Sequence, residues 1–350
     1  MFGDEVEMRT LIVGAGYYPI FEKAIYDAFL ELGYKETEMF CWNAYLSDSI
    51  FSRIQNKFQI GPRVTRFNRD LVRKCEDYQP DLVFIYTGIL VFPGTIKAIK
   101  HIGRTKVFSY NNDDPFAEFY PFYHWRHYKK SIPVCDRNFV FRKKNIEDIR
   151  RVYNLDAELL RAYYIDRKNY LCSESELLPN VPEVVFMGHY EDDERCRYIN
   201  ELVKNGIKVG VPEEHYAMFA KHSPGVISLR DNRTLYNQYL CSCKIPLIFL
   251  SKINHDTYTT RCFEIPAAGA LIFSPYNEDM ESMFADDKEA VYYRNEEEFV
   301  KKVNYYLLHD AEREAIAKAG RERLLKDGHE AKDRVRKILK IYDEVIRETQ

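Results

Sequence analysis

The chain contains no apolar run approaching the ~18 residues that a membrane-crossing helix requires. No transmembrane span is therefore expected. It also has no Cys-x-x-Cys pair among its eight cysteines, and neither thiol of Cys241-Ser-Cys243 has a histidine at zinc-ligand spacing. That excludes a zinc ribbon and a thioredoxin-like redox motif. All eight are expected to be reduced, mostly buried thiols of a cytosolic protein. Charge of one sign is missing too. With 51 Lys+Arg, 54 Asp+Glu and a formal net charge of −3, nothing in the balance pulls the protein toward nucleic acid. No recognised nucleic-acid module accompanies its basic clusters. No cluster of metal-ligating side chains stands out, so no metal is expected. Met1 to Met8 is short and acidic, and is read as neither a signal peptide nor an anchor.

A complete dinucleotide fingerprint is also absent. Gly14-Ala-Gly16-Tyr17-Tyr18-Pro19 begins as one, but Pro19 stands where the third glycine belongs. The next apolar stretch ends in Phe40-Cys-Trp42, without the acid that would hold a ribose. A dehydrogenase is disfavoured on both counts. The expectation is a tight turn without a cofactor, with Gly16 and Tyr17 bordering an acceptor site.

What is present is aromatic and periodic. There are 27 Tyr and 22 Phe against 2 Trp, in a chain that is 46% apolar. At 350 residues it exceeds one ordinary core, so two domains are expected. Strand-like runs at 9–14, 36–42, 81–86, 105–110 and 138–141 alternate with helical patterns at 17–33, 62–77, 93–103 and 143–153. The alternation restarts at 184–190, after a loop rich in Ser, Glu and Pro at 173–183. Helical patterns at 192–205 and 231–242 and extended runs at 207–211 and 245–250 follow. The remaining helices are expected at 278–285, 295–308, 310–326 and 328–348. Alternating strands and helices imply α/β architecture with parallel sheets covered on both faces. We therefore expect two doubly wound domains, 1–175 and 176–350, facing each other across a cleft. The charged C-terminal helices are expected to pack outside, the last one being free to cross back to the first domain.

Ligands of doubly wound sheets bind beyond the carboxyl ends of the strands. Polar residues just after predicted strands are therefore the candidates. Asn111-Asn112-Asp113-Asp114-Pro115 offers two aspartates, either of which can cap a helix or serve as a general base. Gly188-His189 can bring a backbone and an imidazole close to a donor phosphate or sugar. The run from Lys252 to Thr260 is polar and leads into Arg261-Cys-Phe-Glu264. Arg261 and Glu264 are three apart and share a helix face. A basic residue at a helix N-terminus suits a diphosphate, and a carboxylate one turn later can accept hydrogen bonds from two ribose hydroxyls. The basic sets Arg63, Arg66, Arg69, Arg73, Lys74 and Arg126, Lys129, Lys130 are read as solvated faces, with a membrane-surface or anionic-acceptor patch as the alternative.

The stretch Thr260-Arg261-Cys-Phe263-Glu264-Ile-Pro-Ala-Ala268-Gly269 resembles the R-x-F-E-x-x-A-x-G signature of CgeB-like glycosyltransferases, the spore maturation protein type. Asn111–Pro115, Val185-Phe-Met-Gly188, Asn232–Tyr236 and Asn295–Leu307 fall in the order of that family. The resemblance covers most of the second half and the first half loosely. It implies a GT-B fold of two Rossmann-like domains and a nucleoside diphosphate sugar, such as a UDP sugar, as donor. Glu264 would hold the ribose, Thr260 and Arg261 the diphosphate, and Asp256, eight residues before Glu264, would contact the sugar. An inverting base would be Asp113 or Asp114. No cofactor or bound metal is implied. The acceptor is an unidentified glycan, lipid or protein. A sugar-nucleotide epimerase of the same fold and a non-catalytic sugar-nucleotide-binding protein are the alternatives. The expected location is the cytoplasm, with peripheral contact to the inner membrane face as an option.

Overall fold

The computed structural model describes residues 8–46 and 49–349. Met1 to Glu7, most of the short acidic segment, lies outside the described residues. By residue contacts the chain divides into two compact units. The first contains the residues up to Ala162, then Ile253–His255, then the residues from Ala331 on. The second contains Tyr163–Lys252 and Asp256–Glu330.

The first unit is built on a six-stranded sheet of β1 (Thr10–Gly14), β2 (Thr37–Cys41), β3 (Leu82–Tyr86), β4 (Lys106–Asn111), β5 (Arg137–Val140) and β6 (Glu158–Leu159). Every pairing is parallel, in the order β2-β1-β3-β4-β5-β6. All five residues of β1 and of β3 are buried, as strands covered on both faces must be. The helices are α1 (Glu22–Glu31), α2 (Ile50–Phe58), α3 (Pro62–Tyr78), α4 (Pro93–Lys100), α5 (Arg126–Ser131) and α6 (Lys143–Tyr153). Val64, Phe67 and Leu71 of α3 lie one and two turns apart and pack with Leu11, Val13 and Val83 in one core.

The second unit has a four-stranded parallel sheet of β7 (Val184–Val185), β8 (Val209–Pro212), β9 (Ile227–Leu229) and β10 (Ile245–Pro246), in the order β10-β7-β8-β9. A second parallel pair, β11 (Phe273–Pro275) and β12 (Val291–Tyr293), joins it through the Leu247–Phe273 bridge. Its helices are α7 (Glu194–Lys204), α8 (Tyr216–His222), α9 (Tyr236–Ser242), α10 (Arg261–Ala267), α11 (Glu278–Glu281), α12 (Glu296–Leu308) and α13 (Asp310–Lys326). The final helix, α14 (Ala331–Thr349), belongs to the first unit, where it packs against α1 and buries Val335, Ile338, Ile341 and Val345.

The elements expected at 143–153 and 310–326 have those bounds. The runs at 184–190 and 245–250 are two-residue strands instead. The first gives way to the Gly188 turn. In the second, Pro246 has no N–H for continued pairing. Residues 50–58, where no element was expected, form a helix.

Candidate functional site

Three polar centres occupy the positions singled out in the sequence. The first is the turn after β1. Gly16 has φ +80°, and its N–H donates to the buried Glu22 carboxylate at the start of α1. Its carbonyl accepts from Asn43 Nδ2 at 2.8 Å. A Cβ on Gly14 would come within 2.6 Å of Glu22 Cγ, and one on Gly16 within 2.6 Å of Asn43 Nδ2. Burial raises the Glu22 pKa, and the Gly16 amide opposes that rise. The glycines thus accommodate a protein carboxylate where a dinucleotide fold would place its pyrophosphate. Tyr17, next along, is half exposed.

The second centre follows β4. Asp114 is completely buried, and both its oxygens are occupied. Oδ1 accepts from the Phe116 N–H at 2.9 Å and from Asn145 Nδ2 at 2.8 Å. Oδ2 faces His255 Nδ1 at 2.9 Å and Lys144 Nζ at 3.4 Å. Burial by itself would raise the Asp114 pKa. The Phe116 amide, Asn145, Lys144 and His255 outweigh it and hold the carboxyl below its usual range. An ionised carboxylate only accepts, so His255 Nδ1 donates, and in the neutral ring Nε2 keeps its lone pair. His255 is 52% relatively exposed at its side chain and sits at φ +52°, a left-handed conformation unfavourable for a residue with a Cβ. Asn254 holds the segment, its Oδ1 accepting from the Tyr120 hydroxyl at 3.1 Å and the Asp114 N–H at 3.4 Å.

Asp113 differs from its neighbour. Its N–H donates to Asn111 Oδ1, but among the described residues its carboxylate accepts no hydrogen bond and joins no ion pair. Burial raises its pKa, Arg142 opposes the rise, and the Asp114 charge adds to it. The two aspartates, equivalent in the sequence, are thus separated by their partners.

The third centre lies in the second unit, where β7, α9 and α10 converge. The α10 helix has seven residues, with Pro266 inside it. So short a helix carries little dipole, and the expected helix-terminus contribution to anion binding gives way to the Arg261 side chain itself. Its guanidinium carbon lies 5.7 Å from the Phe186 ring centroid. A Cβ on Gly188 would lie 3.1 Å from that carbon and 2.4 Å from Phe186 Cζ, so only glycine leaves room there. Arg261 Nε is buried and has no hydrogen-bond partner. Thr259 Oγ1, two residues earlier, is likewise buried without a partner. An unmet buried donor costs about 1–3 kcal/mol, more when charged, so these atoms point to a missing acceptor.

Glu264 lies one turn after Arg261 and accepts from the Tyr236 hydroxyl at 2.7 Å. Burial raises its pKa against the opposing effects of Tyr236, Arg261 and Lys168. Thr260 stands at the N-cap position of α10 without a side-chain cap, and its carbonyl accepts from the Phe263 and Glu264 amides. His189 Nδ1 is 2.9 Å from His215 Nε2. Burial, then the His215 and Arg261 charges, lower the His189 pKa. Asp256 donates its N–H to the Ser251 carbonyl.

The structure therefore brings Gly188 to Arg261, Tyr236 to Glu264, and His255 to Asp114. Three contributors escaped the sequence reading as site residues: Tyr236, His255 and Arg195. Arg195 is buried, pairs with Asp193 and Glu191, and donates to the His189 carbonyl at 2.7 Å, which fixes the turn beneath Arg261. The Asp193-Glu194-Arg195 helix start was the available signal, because an acidic N-cap beside an arginine can bind it locally.

Residues 228–340 match the sequence model of the family described as Glycosyl transferase-like. That stretch contains Tyr236, His255, Asp256, Thr260, Arg261 and Glu264. No curated protein matches the chain. Among solved structures, HepE of Anabaena in complex with UDP and glucose has a TM-score of 0.67 over 96% of this chain and 100% of its own, at 9% identity. Sucrose-phosphate synthase from Thermosynechococcus elongatus gives 0.68 over 97% and 100%, also at 9%. A candidate UDP-N-acetylglucosamine 2-epimerase from Listeria monocytogenes gives 0.58 over 98% of each chain, at 12%. The chain has the GT-B fold.

Proposed function

We propose that the protein is a glycosyltransferase that moves a sugar from a nucleoside diphosphate sugar, with a UDP sugar as the first candidate, to a glycan, lipid or protein acceptor. The observation that carries this reading is the buried, unpartnered Arg261 Nε beside Gly188, with Glu264 one turn on. In this reading the Arg261 guanidinium offsets the diphosphate charge as it leaves, so the chemistry itself calls for no metal. Thr260 and the Gly188-His189 turn border the diphosphate. Glu264, oriented by Tyr236, accepts from the ribose hydroxyls. Asp256 contacts the transferred sugar.

For the acceptor side we assign the proton-accepting role to His255 Nε2, with Asp114 as the residue that orients it. Asp113, whose carboxylate is unpartnered, is then an acceptor contact, as are Gly16 and Tyr17. The R-x-F-E run at 261–264 supports placement among the CgeB-like transferases. The eight cysteines are all unpaired thiols, which supports a cytoplasmic location.

Donor turnover and UDP affinity of the purified protein, beside Glu264→Ala, test the donor assignment. Affinity should fall about tenfold or more for loss of a charge-assisted hydrogen-bonding group. Equal affinity in both proteins would refute it. His255→Gln should lower kcat with little change in KM for the donor. A second reading, epimerisation, draws on the fold likeness to the Listeria protein. An altered sugar nucleotide formed from donor alone, with no acceptor added, would favour it.

A further inference from the structure

We infer that α2 and the segment 119–130 of the first unit form a docking surface for an anionic lipid membrane. The α2 helix is inside out. Of its nine residues only Ser52 is buried. Ile50, Phe51, Ile54 and Phe58 fall at three- and four-residue spacing on one face, and their relative exposures are 70, 75, 48 and 39%. Ile60, just beyond, is 52% exposed. An amphipathic helix in a folded unit normally turns such a face to the core; this one turns it to solvent.

The second segment continues the same surface. Phe119 and Phe122 are 66 and 91% exposed. The Phe58 and Tyr123 rings lie 5.2 Å apart. Gln59 Nε2 donates to the His124 carbonyl, Arg126 Nη2 donates to the Phe58 carbonyl, and His127 Nε2 lies 3.0 Å from the Gln59 carbonyl oxygen. These contacts fasten the two apolar segments side by side. Contiguous apolar patches of this kind mark interaction sites.

Charge selects the occupant. Neither residues 49–69 nor residues 119–135 contain an Asp or Glu, in a chain whose formal charge is −3. Arg53, Lys57 and Lys130 are exposed beside the apolar residues. Protein interfaces are depleted in lysine, whereas phenylalanine and isoleucine ringed by Lys and Arg suit the boundary between acyl chains and anionic headgroups. Among the described residues no helix is long and apolar enough to cross a membrane, so the contact proposed is peripheral. It does not rest on the donor assignment, and its test reads no enzymatic activity.

The test is co-sedimentation of the full chain with phosphatidylcholine vesicles, with and without phosphatidylglycerol. Binding should be at least about tenfold tighter when phosphatidylglycerol is present, and should weaken as salt is added. The variant Phe51→Ser/Ile54→Ser/Phe122→Ser should lose about tenfold or more of that binding, with an unchanged melting temperature. Arg53→Glu/Lys57→Glu should lose a comparable amount through charge alone. No binding to either vesicle, or binding untouched by both variants, would overturn the proposal. So would a stable dimer in the absence of vesicles that the apolar variant converts to monomer, since a second copy would then cover the surface.

Discussion

Asp114 in the first unit and Arg261 in the second each place atoms of a charged group out of water, and the surroundings of those atoms are opposite. Asp114 has four donors for its two oxygens, and its charge is held below the usual carboxylate range. Arg261 keeps a buried Nε with no acceptor. A saturated buried charge is a structural anchor, because its partners already offset the loss of water. An unsaturated one is costly to the fold and is best explained by something it holds intermittently. The same contrast separates Asp113 from Asp114 within one dipeptide.

The largest effect that could break this comparison is on stability. Asp114→Ala removes the carboxylate facing His255 and one of two carboxylate partners from each of Lys144 and Asn145, and should destabilise by about 3–5 kcal/mol in urea unfolding. If it unfolds like the parent protein, Asp114 is not the anchor described. Arg261→Met should do the reverse. Its kcat/KM for donor should fall about 10²–10³-fold, while its melting temperature holds or rises, because a poorly satisfied buried donor has been removed. Steady-state kinetics beside a thermal melt separate the two outcomes. Gly188→Ala sharpens the picture more mildly. The added methyl would meet Phe186 at 2.4 Å and Arg261 at 3.1 Å, and overpacking of that sort costs about 1–3 kcal/mol. UDP affinity should fall with it as Arg261 is displaced.

The smallest expected effect is a difference of sign in pH dependence. Asp114 has a lowered pKa in the folded protein, so its stabilisation is present above the ordinary aspartate range and is lost as pH falls through the lowered value. Glu264 has a raised pKa, so the folded state retains its proton longer than the unfolded chain does. Stability contributed at that site therefore declines as pH rises from the ordinary glutamate range to the raised value. Asp114→Asn should flatten the acid limb, and Glu264→Gln should remove the decline above it. Urea midpoints measured across that range check both.

Parts of this arrangement were legible in the residues alone. β1 and β3 are short, largely apolar runs that read as buried strands, and α6 and α13 end where their patterns end. Arg261 and Glu264 were visible as a pair because helical spacing is a local property. The α2 helix was not legible as a surface. Periodicity reveals an apolar face but not which way it points, and here the face that looks like core is outermost. His255 was hidden for a different reason: its carboxylate partner lies 141 residues away. Nothing near His255 in the chain distinguishes it from a loop histidine. The Gly14–Gly16 turn was legible as a tight turn, but the group packed against it, Glu22, became evident only in three dimensions.

By itself the sequence determined the α/β alternation, its restart in the second half, and the Arg261–Glu264 pair, because each follows from the spacing of neighbours along one strand or helix. Only the tertiary structure decided which charges are satisfied. Whether Asp113 or Asp114 is anchored, whether Arg261 is left unpaired, and whether α2 faces core or solvent all depend on partners brought from distant parts of the chain. Desolvation and hydrogen bonding act through space, and no local pattern encodes them.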